Sequence, residues 1–241
     1  MNIYAESAAG SVRSENQDRA VTLVLDGNAV FAVVCDGMGG ENAGSFASEK
    51  AIEIISDRIK NGYRSDISEK GIKNLLIGAV RTANAVVYDI SENDIRKRGM
   101  GTTCVAALRR GERVFCVNVG DSRGYLIIDD NIDQITKDHS LVMQLFEKGQ
   151  ITKDQMKTHP QRNYLTRAVG VSENVSPDYF EFDISDGNII LLCSDGLCGV
   201  CRDEDILNAV KNADADKIPA ALIQLAADCG SRDNITAAVI L

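Results

Sequence analysis

The sequence has little of what several function classes require. It holds only two histidines and three prolines among 241 residues, and its cysteines are scattered. A zinc site, which is built from Cys and His ligands, is hard to assemble from that supply. No apolar run approaches the roughly 18 residues a membrane-crossing helix needs. Met1 to Asp18 is polar and mixed in charge, with neither a basic start nor an apolar core. A secretion signal is therefore not expected, and the chain is expected to work in the cytoplasm with no membrane contact. Lysine and arginine number 26 against 35 acidic residues, a net charge of −9 with no long basic stripe. Nucleic acid, itself densely anionic, is a poor partner for such a surface. Seven cysteines is an odd number, and without an export signal they are expected as reduced, mostly buried thiols. Cys198 and Cys201 form a lone CxxC with no second pair and no histidine beside it, and it reads as incidental.

What is present is an ordinary globular composition, 44% hydrophobic and long enough to bury a large core. There is no internal repeat and no Pro/Gly/Ser linker, so residues 1–241 read as one domain. Val21–Leu25 and Ala29–Cys35 flank Asp26-Gly27-Asn28, a good hairpin turn. Arg113–Val119 and Tyr125–Ile128 flank the glycine-bounded segment 120–124 and read as a second such pair. Thr102–Leu108, Asn188–Cys193 and Ile235–Leu241 read as further strands. Helical spacing predicts Ala43–Lys60, ended by Asn61-Gly62, and a long helix over Ser68–Ile95. Asp203–Lys211, opened by three acids, and Ile218–Asp228 follow. Hairpins combined with long helices predict an α+β fold, with two packed antiparallel sheets and helices outside them. The polar segment Asp138–Tyr164, with a capping box at Thr152–Gln155, reads as a surface flap.

The aspartates carry the chemistry. Asp36 follows the apolar run Phe31–Cys35 and precedes Gly37-Met38-Gly39-Gly40. Asp195 follows Ile189–Cys193, Asp121 ends Val117–Gly120, Asp233 opens the last strand with Asn234, and Asp18 precedes the first. A single Asp-Gly is usually a turn, as at Asp26-Gly27. Several carboxylates at strand ends repel one another unless a cation sits among them. All-oxygen ligation selects Mn²⁺ or Mg²⁺.

These residues resemble the metal-dependent protein phosphatases of type 2C, in their compact bacterial form. The resemblance spans Gly10 to Leu241. It rests on Gly10-x-x-Arg13-x-x-Asn16-Gln17-Asp18, Asp36-Gly-Met-Gly-Gly40, Gly101-Thr-Thr103 and Gly120-Asp-Ser-Arg123. Asp138-His-Ser140, Leu165-Thr-Arg-Ala-Val-Gly170, Ser194-Asp-Gly196 and Asp233-Asn-Ile-Thr236 complete the series in order. The resemblance implies a four-layer α-β-β-α sandwich with a small flap subdomain at about 138–164, and a metal cleft at one edge. Asp36 would bridge two ions, with the Gly37 carbonyl on one of them and Asp195 and Asp233 on the other. Asp121 would contribute to a weaker third site. Asp18, Gln17 and Asn234 would stand behind these ligands, and Arg13 would grip the substrate phosphate.

The expected reaction is hydrolysis of phosphoserine and phosphothreonine in other proteins, by a hydroxide held between the two ions and attacking phosphorus in line. A bacterial kinase of the eukaryote-like type and its substrates would be the natural partners, and nothing in the sequence demands more than a monomer. A Cys-x5-Arg loop for a covalent phosphoenzyme is absent. Gln17 stands where many members have a glutamate ligand, Met38 where animal members have a histidine, and Gly199 where some have a further aspartate. His139 and His159 read as structural or loop-capping residues. Ser194, Ser122 and Thr102 read as hydrogen-bonding rim residues, since no histidine is placed to activate them. Two rival readings are a phosphoprotein-binding relative without activity and a two-metal hydrolase of nucleotides or small phosphate esters.

Overall fold

The alternation of side chains along the central strands builds the architecture. In the computed structural model, which describes residues 1–40 and 43–241, strand β3 (Ala29–Met38) sends Ala29, Phe31, Val33 and Cys35 one way and Val30, Ala32 and Val34 the other. The odd set packs under helices α1 (Ala43–Gly62) and α2 (Glu69–Asn93). The even set faces a second sheet. Both faces of β3 are buried, which explains its unbroken apolar run.

The first sheet has the order β2 (Asp18–Leu25), β3, β5 (Cys104–Arg110), β6 (Arg113–Val119), β9 (Asp178–Asp183), with the short β4 (Gly101–Thr102) against the end of β3. The second has the order β1 (Ile3–Ala8), β11 (Ile235–Ile240), β10 (Ile189–Cys193), β7 (Arg123–Ile128), β8 (Asn131–Gln134). All pairings are antiparallel. Helices α6 (Asp203–Asn212) and α7 (Ile218–Asp228) cover the outside of the second sheet over Leu191, Cys193, Ala237 and Val239. The result is four layers, helices–sheet–sheet–helices, with a core in each of the three interfaces.

The predicted hairpin over Asp26-Gly27-Asn28 forms, with Leu25 opposite Ala29. The second predicted pair does not. β6 and β7 lie in different sheets, so the chain crosses the sandwich at residues 120–122. The glycines that resembled a tight turn serve a crossing: Gly120 has φ +106°. Three strands escaped the sequence reading. β1 is an edge strand with no buried residue, β8 is short and exposed, and β9, Asp-Tyr-Phe-Glu-Phe-Asp, is an edge strand rich in charge. Charged edges discourage pairing with other chains and dilute the hydrophobic pattern that would reveal a strand.

Helix α2 starts as predicted, with Ser68 Oγ accepting from the Gly71 N–H at 3.1 Å. Helix α1 runs through Asn61-Gly62 instead of stopping before it. Between β8 and β9, the chain forms α3 (Leu141–Glu147) and α4 (Lys153–Thr158), the latter with the expected capping box. This excursion closes on itself: Leu141 N–H donates to the Tyr164 carbonyl (2.8 Å) and Thr166 N–H to the His139 carbonyl (2.8 Å). The short α5 (Asp195–Cys198) follows β10 directly. All seven cysteines are free thiols, six of them buried. Among the described residues no helix is long and apolar enough to cross a membrane.

Candidate active site

The seam between the sheets changes character at one end. The inward-facing series Ala32–Val34 ends in Asp36; the series Ile190–Leu192 ends in Ser194; and Ala238, one step back along β11, is preceded by Thr236. Asp18 belongs to the same rim, directly opposite Asp36 in the β2–β3 register. Period-two alternation that buries valine and isoleucine in the middle of the seam thus aims a ring of oxygen donors into its mouth.

Two backbone contacts set the ligands' places. At Gly37 a Cβ would lie 2.1 Å from the Gly44 carbonyl oxygen, so only glycine lets the start of α1 press against the end of β3. At Gly196 a Cβ would lie 1.9 Å from the Asn234 carbonyl oxygen, and this close approach sets the starts of α5 and β11, with Asp195 and Asp233, side by side. Asp36 is held through its backbone: its N–H donates to Thr103 Oγ1 (2.9 Å), and its carbonyl accepts from Thr103 N–H (2.8 Å) and Thr102 Oγ1 (2.9 Å). Thr103 Oγ1 shares a 2.7 Å hydrogen bond with Ser122 Oγ beside Asp121. Asp36, Asp121, Asp195 and Asp233, with Arg13 and Gln17, line one open cleft of about 820 Å³.

Behind this cleft Asp18 is buried. Its Oδ2 accepts from Ser194 Oγ and Thr236 Oγ1, both at 2.7 Å, while its Oδ1 has no hydrogen-bond partner among the described residues. Burial raises its carboxyl to a pKa of about 6 despite those two donors. Asp36 is raised well above the ordinary carboxylate range, first by burial, then by repulsion from Asp18, Asp195, Asp121 and Asp233. Burial, then Asp195 and Asp138, lift Asp121 to about 8. Asp195 is raised by burial and by Asp233. Asp18 is buried and Asp36, Asp121 and Asp195 are half-buried at the cleft, and among the described residues none of the four forms an ion pair.

Asp233 differs. Arg13 Nε and Nη2 meet its two oxygens at 2.9 and 2.8 Å, and this bidentate pair raises the arginine's already high pKa. The predicted phosphate-gripping arginine thus lies at the cleft with its fork on a predicted metal ligand. Asn234 braces the loop that carries Arg13: its Nδ2 donates to the carbonyls of Ala9 (3.0 Å) and Glu15 (2.8 Å), and its Oδ1 accepts from Gln17 N–H (2.9 Å). Gln17 works mainly through its backbone carbonyl, which accepts from Gly37 N–H (3.2 Å) and Ser48 Oγ (2.6 Å). Its side chain reaches Glu15 at 3.3 Å.

The donors suit hard divalent cations. Among the described residues no three acidic, histidine or cysteine side chains converge on one point. A Mg²⁺-like ion that keeps several waters needs only one or two carboxylates. All-oxygen donors, mutual repulsion among four carboxylates, and an unpartnered Asp18 Oδ1 behind them fit such ions and disfavour zinc.

Sequence reasoning quoted Arg123 and Asp138 inside motifs but gave them no role. They form a pair, with Asp138 buried and Arg123 largely so: Arg123 Nε and Nη2 donate to Asp138 Oδ1 (3.0 Å) and Oδ2 (2.7 Å). Gln134 Nε2 adds a donor to Asp138 at 2.8 Å, and Arg123 Nη1 reaches Tyr125 Oη at 3.1 Å. No local pattern announces a pair separated by the whole β7–β8 hairpin. His139 is structural, as expected: its Nδ1 accepts from Gly120 N–H at 3.1 Å, which leaves Nε2 to donate to Asp178 at 3.2 Å. Its pKa is lowered, chiefly by burial, so the neutral ring clamps the loop that carries Asp121. His159 Nδ1 accepts from Gln161 N–H just past α4. Ser194, Ser122 and Thr102 all act as hydrogen-bonding rim residues.

Comparison with known proteins agrees with this geometry. The family model described as "Protein phosphatase 2C" matches residues 9–237. The serine/threonine phosphatase Stp of Listeria welshimeri is 36% identical over 234 residues, 96% of this chain and 92% of that protein. The crystal structure of serine/threonine phosphatase Stp1 from Staphylococcus aureus superposes with a TM-score of 0.92 at 36% identity, covering 98% of this chain and 93% of that one. The catalytic domain of serine/threonine protein phosphatase PstP, solved with two manganese ions, superposes with a TM-score of 0.86 at 33% identity over 99% of this chain and 96% of that one. With most of its length matched by the model and by relatives of this identity, the chain belongs to the protein phosphatase 2C family.

Proposed function

We propose that this chain is a Mn²⁺- or Mg²⁺-dependent phosphatase that hydrolyses phosphoserine and phosphothreonine in other proteins. The observation that carries this reading is the cleft itself, where Asp36, Asp121 and Asp195 crowd together beside Asp233 and its forked partner Arg13. In this assignment Asp36, the Gly37 carbonyl, Asp195 and Asp233 would hold the two ions, with Asp36 the residue shared between them. Asp121 would serve a weaker third ion, and Asp18 would support the ligands from behind. When bound, the ions supply a water of lowered pKa as nucleophile and offset charge on phosphorus.

The protein's own part is positioning. Thr102 and Thr103 fix the Asp36 backbone, and Gly37 and Gly196 permit the close contacts that place Asp36, Asp195 and Asp233. Arg13 exchanges Asp233 for the equatorial phosphoryl oxygens, which its planar fork matches equally well. Met38 offers no proton at the cleft wall, so the leaving alkoxide takes its proton from water. The substrates fit a pathway in which a serine/threonine kinase is opposed, and the working unit is a cytoplasmic monomer. Residues 1–241 act as one domain, with 138–164 as a flap beside the cleft.

The test is phosphate release from a phosphothreonine peptide, with nucleotides as controls. Release that needs Mn²⁺, stops with EDTA and is lost in Asp36→Asn upholds the proposal. Turnover of nucleotides without turnover of the peptide would move the assignment to a small-molecule hydrolase.

A further inference from the structure

The two cysteines of the CxxC turn to different partners, each from another part of the chain. The Cys198 thiol faces Cys193 of β10, and the Cys201 thiol faces Cys229, which caps the end of α7. A third facing pair, Cys35 and Cys104, is sealed in the core under α1 and α2. The pairs differ in access. Cys35, Cys104, Cys193 and Cys198 are all buried, whereas Cys229 is the one exposed cysteine of the seven. A solvent-borne reagent therefore meets a facing thiol pair at one place, Cys201 and Cys229.

The backbones that carry this pair are held. Cys201 N–H donates to the Leu197 carbonyl of α5 (3.1 Å), and Cys229 N–H to the Leu225 carbonyl of α7 (2.8 Å). Ser231 ties the two elements together: its N–H donates to the Ala226 carbonyl (2.9 Å) and its Oγ to the Gly196 carbonyl (2.8 Å). Leu222 and Ala226 of α7 share one buried cluster with Cys201. Two thiols that already face each other from fixed backbones need little motion to bond. Burial, then the Cys229 thiol, push the Cys201 thiol up, so the exposed Cys229 is the one that meets an oxidant first.

We propose that Cys201 and Cys229 form an oxidation site, converted to a disulfide by hydrogen peroxide and restored by dithiols. The Cys229 thiolate attacks one peroxide oxygen and breaks the O–O bond, giving a sulfenic acid and hydroxide. The Cys201 thiolate then attacks the sulfenic sulfur, forms the S–S bond and expels a second hydroxide. The two hydroxides take up the two thiol protons, so two thiols and one peroxide give one disulfide and two waters. The bond closes a loop that contains α6 and α7, the helical layer over the second sheet. It lies beside the Gly196 contact that sets Asp195 against Asp233. Oxidation thus staples this layer reversibly, and the oxidised protein resists unfolding more than the reduced one.

The test treats the full chain with hydrogen peroxide in EDTA, alkylates the remaining thiols in denaturant and maps the peptides by mass. Two of the seven thiols disappear, Cys201 is joined to Cys229, and dithiothreitol restores both. The oxidised protein melts roughly 5–10 °C above the reduced one. Cys229→Ser, an exposed change, and Cys201→Ser each abolish both the bond and the shift. Seven free thiols, a bond from Cys198 to Cys201, a Cys229 cross-link between two chains, or a sulfinic acid at Cys229 with Cys201 still free overturns the site. A mapped Cys201–Cys229 bond with no rise in melting temperature overturns the staple.

Discussion

Two charged clusters lie side by side in this molecule, joined by the single residue Ser122, and they are built on opposite principles. On one side of Ser122, Arg123 meets Asp138 in a largely buried fork whose remaining hydrogen bonds go to Gln134 and Tyr125. On the other side, Asp121 joins Asp36 and Asp195, and among the described residues none of the three forms an ion pair: Arg123 and Arg13 act on them only from a distance, and burial and repulsion prevail. The paired cluster is complete and ties β7 to the start of the 138–164 segment. The unpaired cluster holds its carboxylates close together at an electrostatic cost, which only bound cations or protons can offset. A buried charge with its partner supports structure, whereas buried like charges without one mark a site that binds.

The comparison can be broken at either cluster. The largest effect is expected from Asp36→Asn, which removes the central carboxylate and should lower kcat/KM on a phosphopeptide by on the order of 10³-fold or more. If the unpaired charges are a liability to the fold, the same variant should also raise the unfolding temperature measured in EDTA at pH 8. Breaking the other cluster should do the reverse. Arg123→Leu strands Asp138 and should cost about 3–5 kcal/mol in a urea titration, and adding Asp138→Leu should recover most of it.

A smaller effect concerns the residue that bridges substrate and site. Arg13→Ala should raise KM for phosphopeptide by about 10- to 100-fold, and Arg13→Lys should restore little, because the fork is what fits phosphate.

The mildest test is pH. A carboxyl whose folded pKa lies above its unfolded value near 4 keeps protons that the unfolded chain has lost. Stability of the metal-free protein should therefore be fully present in acid and decline as pH rises through about 6 for Asp18 and about 8 for Asp121. Mn²⁺ should remove most of that decline, because it replaces protons as the offsetting charge. Thermal melts at pH 5, 6.5 and 8, with EDTA and with Mn²⁺, check both statements.

Much of the site was legible because alternation and chemistry coincide there. An apolar strand that ends in aspartate and glycine is readable without coordinates, and Asp36 and Asp195 are so placed. The reading failed where meaning depends on partners distant in sequence. Residues 120–124 look like a hairpin turn, but Gly120's conformation and the largely buried Arg123–Asp138 pair make them a crossing between sheets. β9 was missed because its alternation mixes phenylalanine with glutamate and aspartate on an edge. The pairing of Arg13 with Asp233, 220 residues apart, has no local signal at all.

The most direct test of the central claim is calorimetric titration of the metal-free protein with Mn²⁺ at pH 7, in two buffers of different ionisation enthalpy. Two ions should bind per chain with net release of protons, because burial and mutual repulsion raise Asp36 well above the ordinary carboxylate range and Asp121 to about 8 when no ion is bound. Asp36→Asn should abolish at least one of those ions. Binding without proton release, or with the same stoichiometry in Asp36→Asn, would contradict the claim that uncompensated carboxylates at the sheet seam are the metal site.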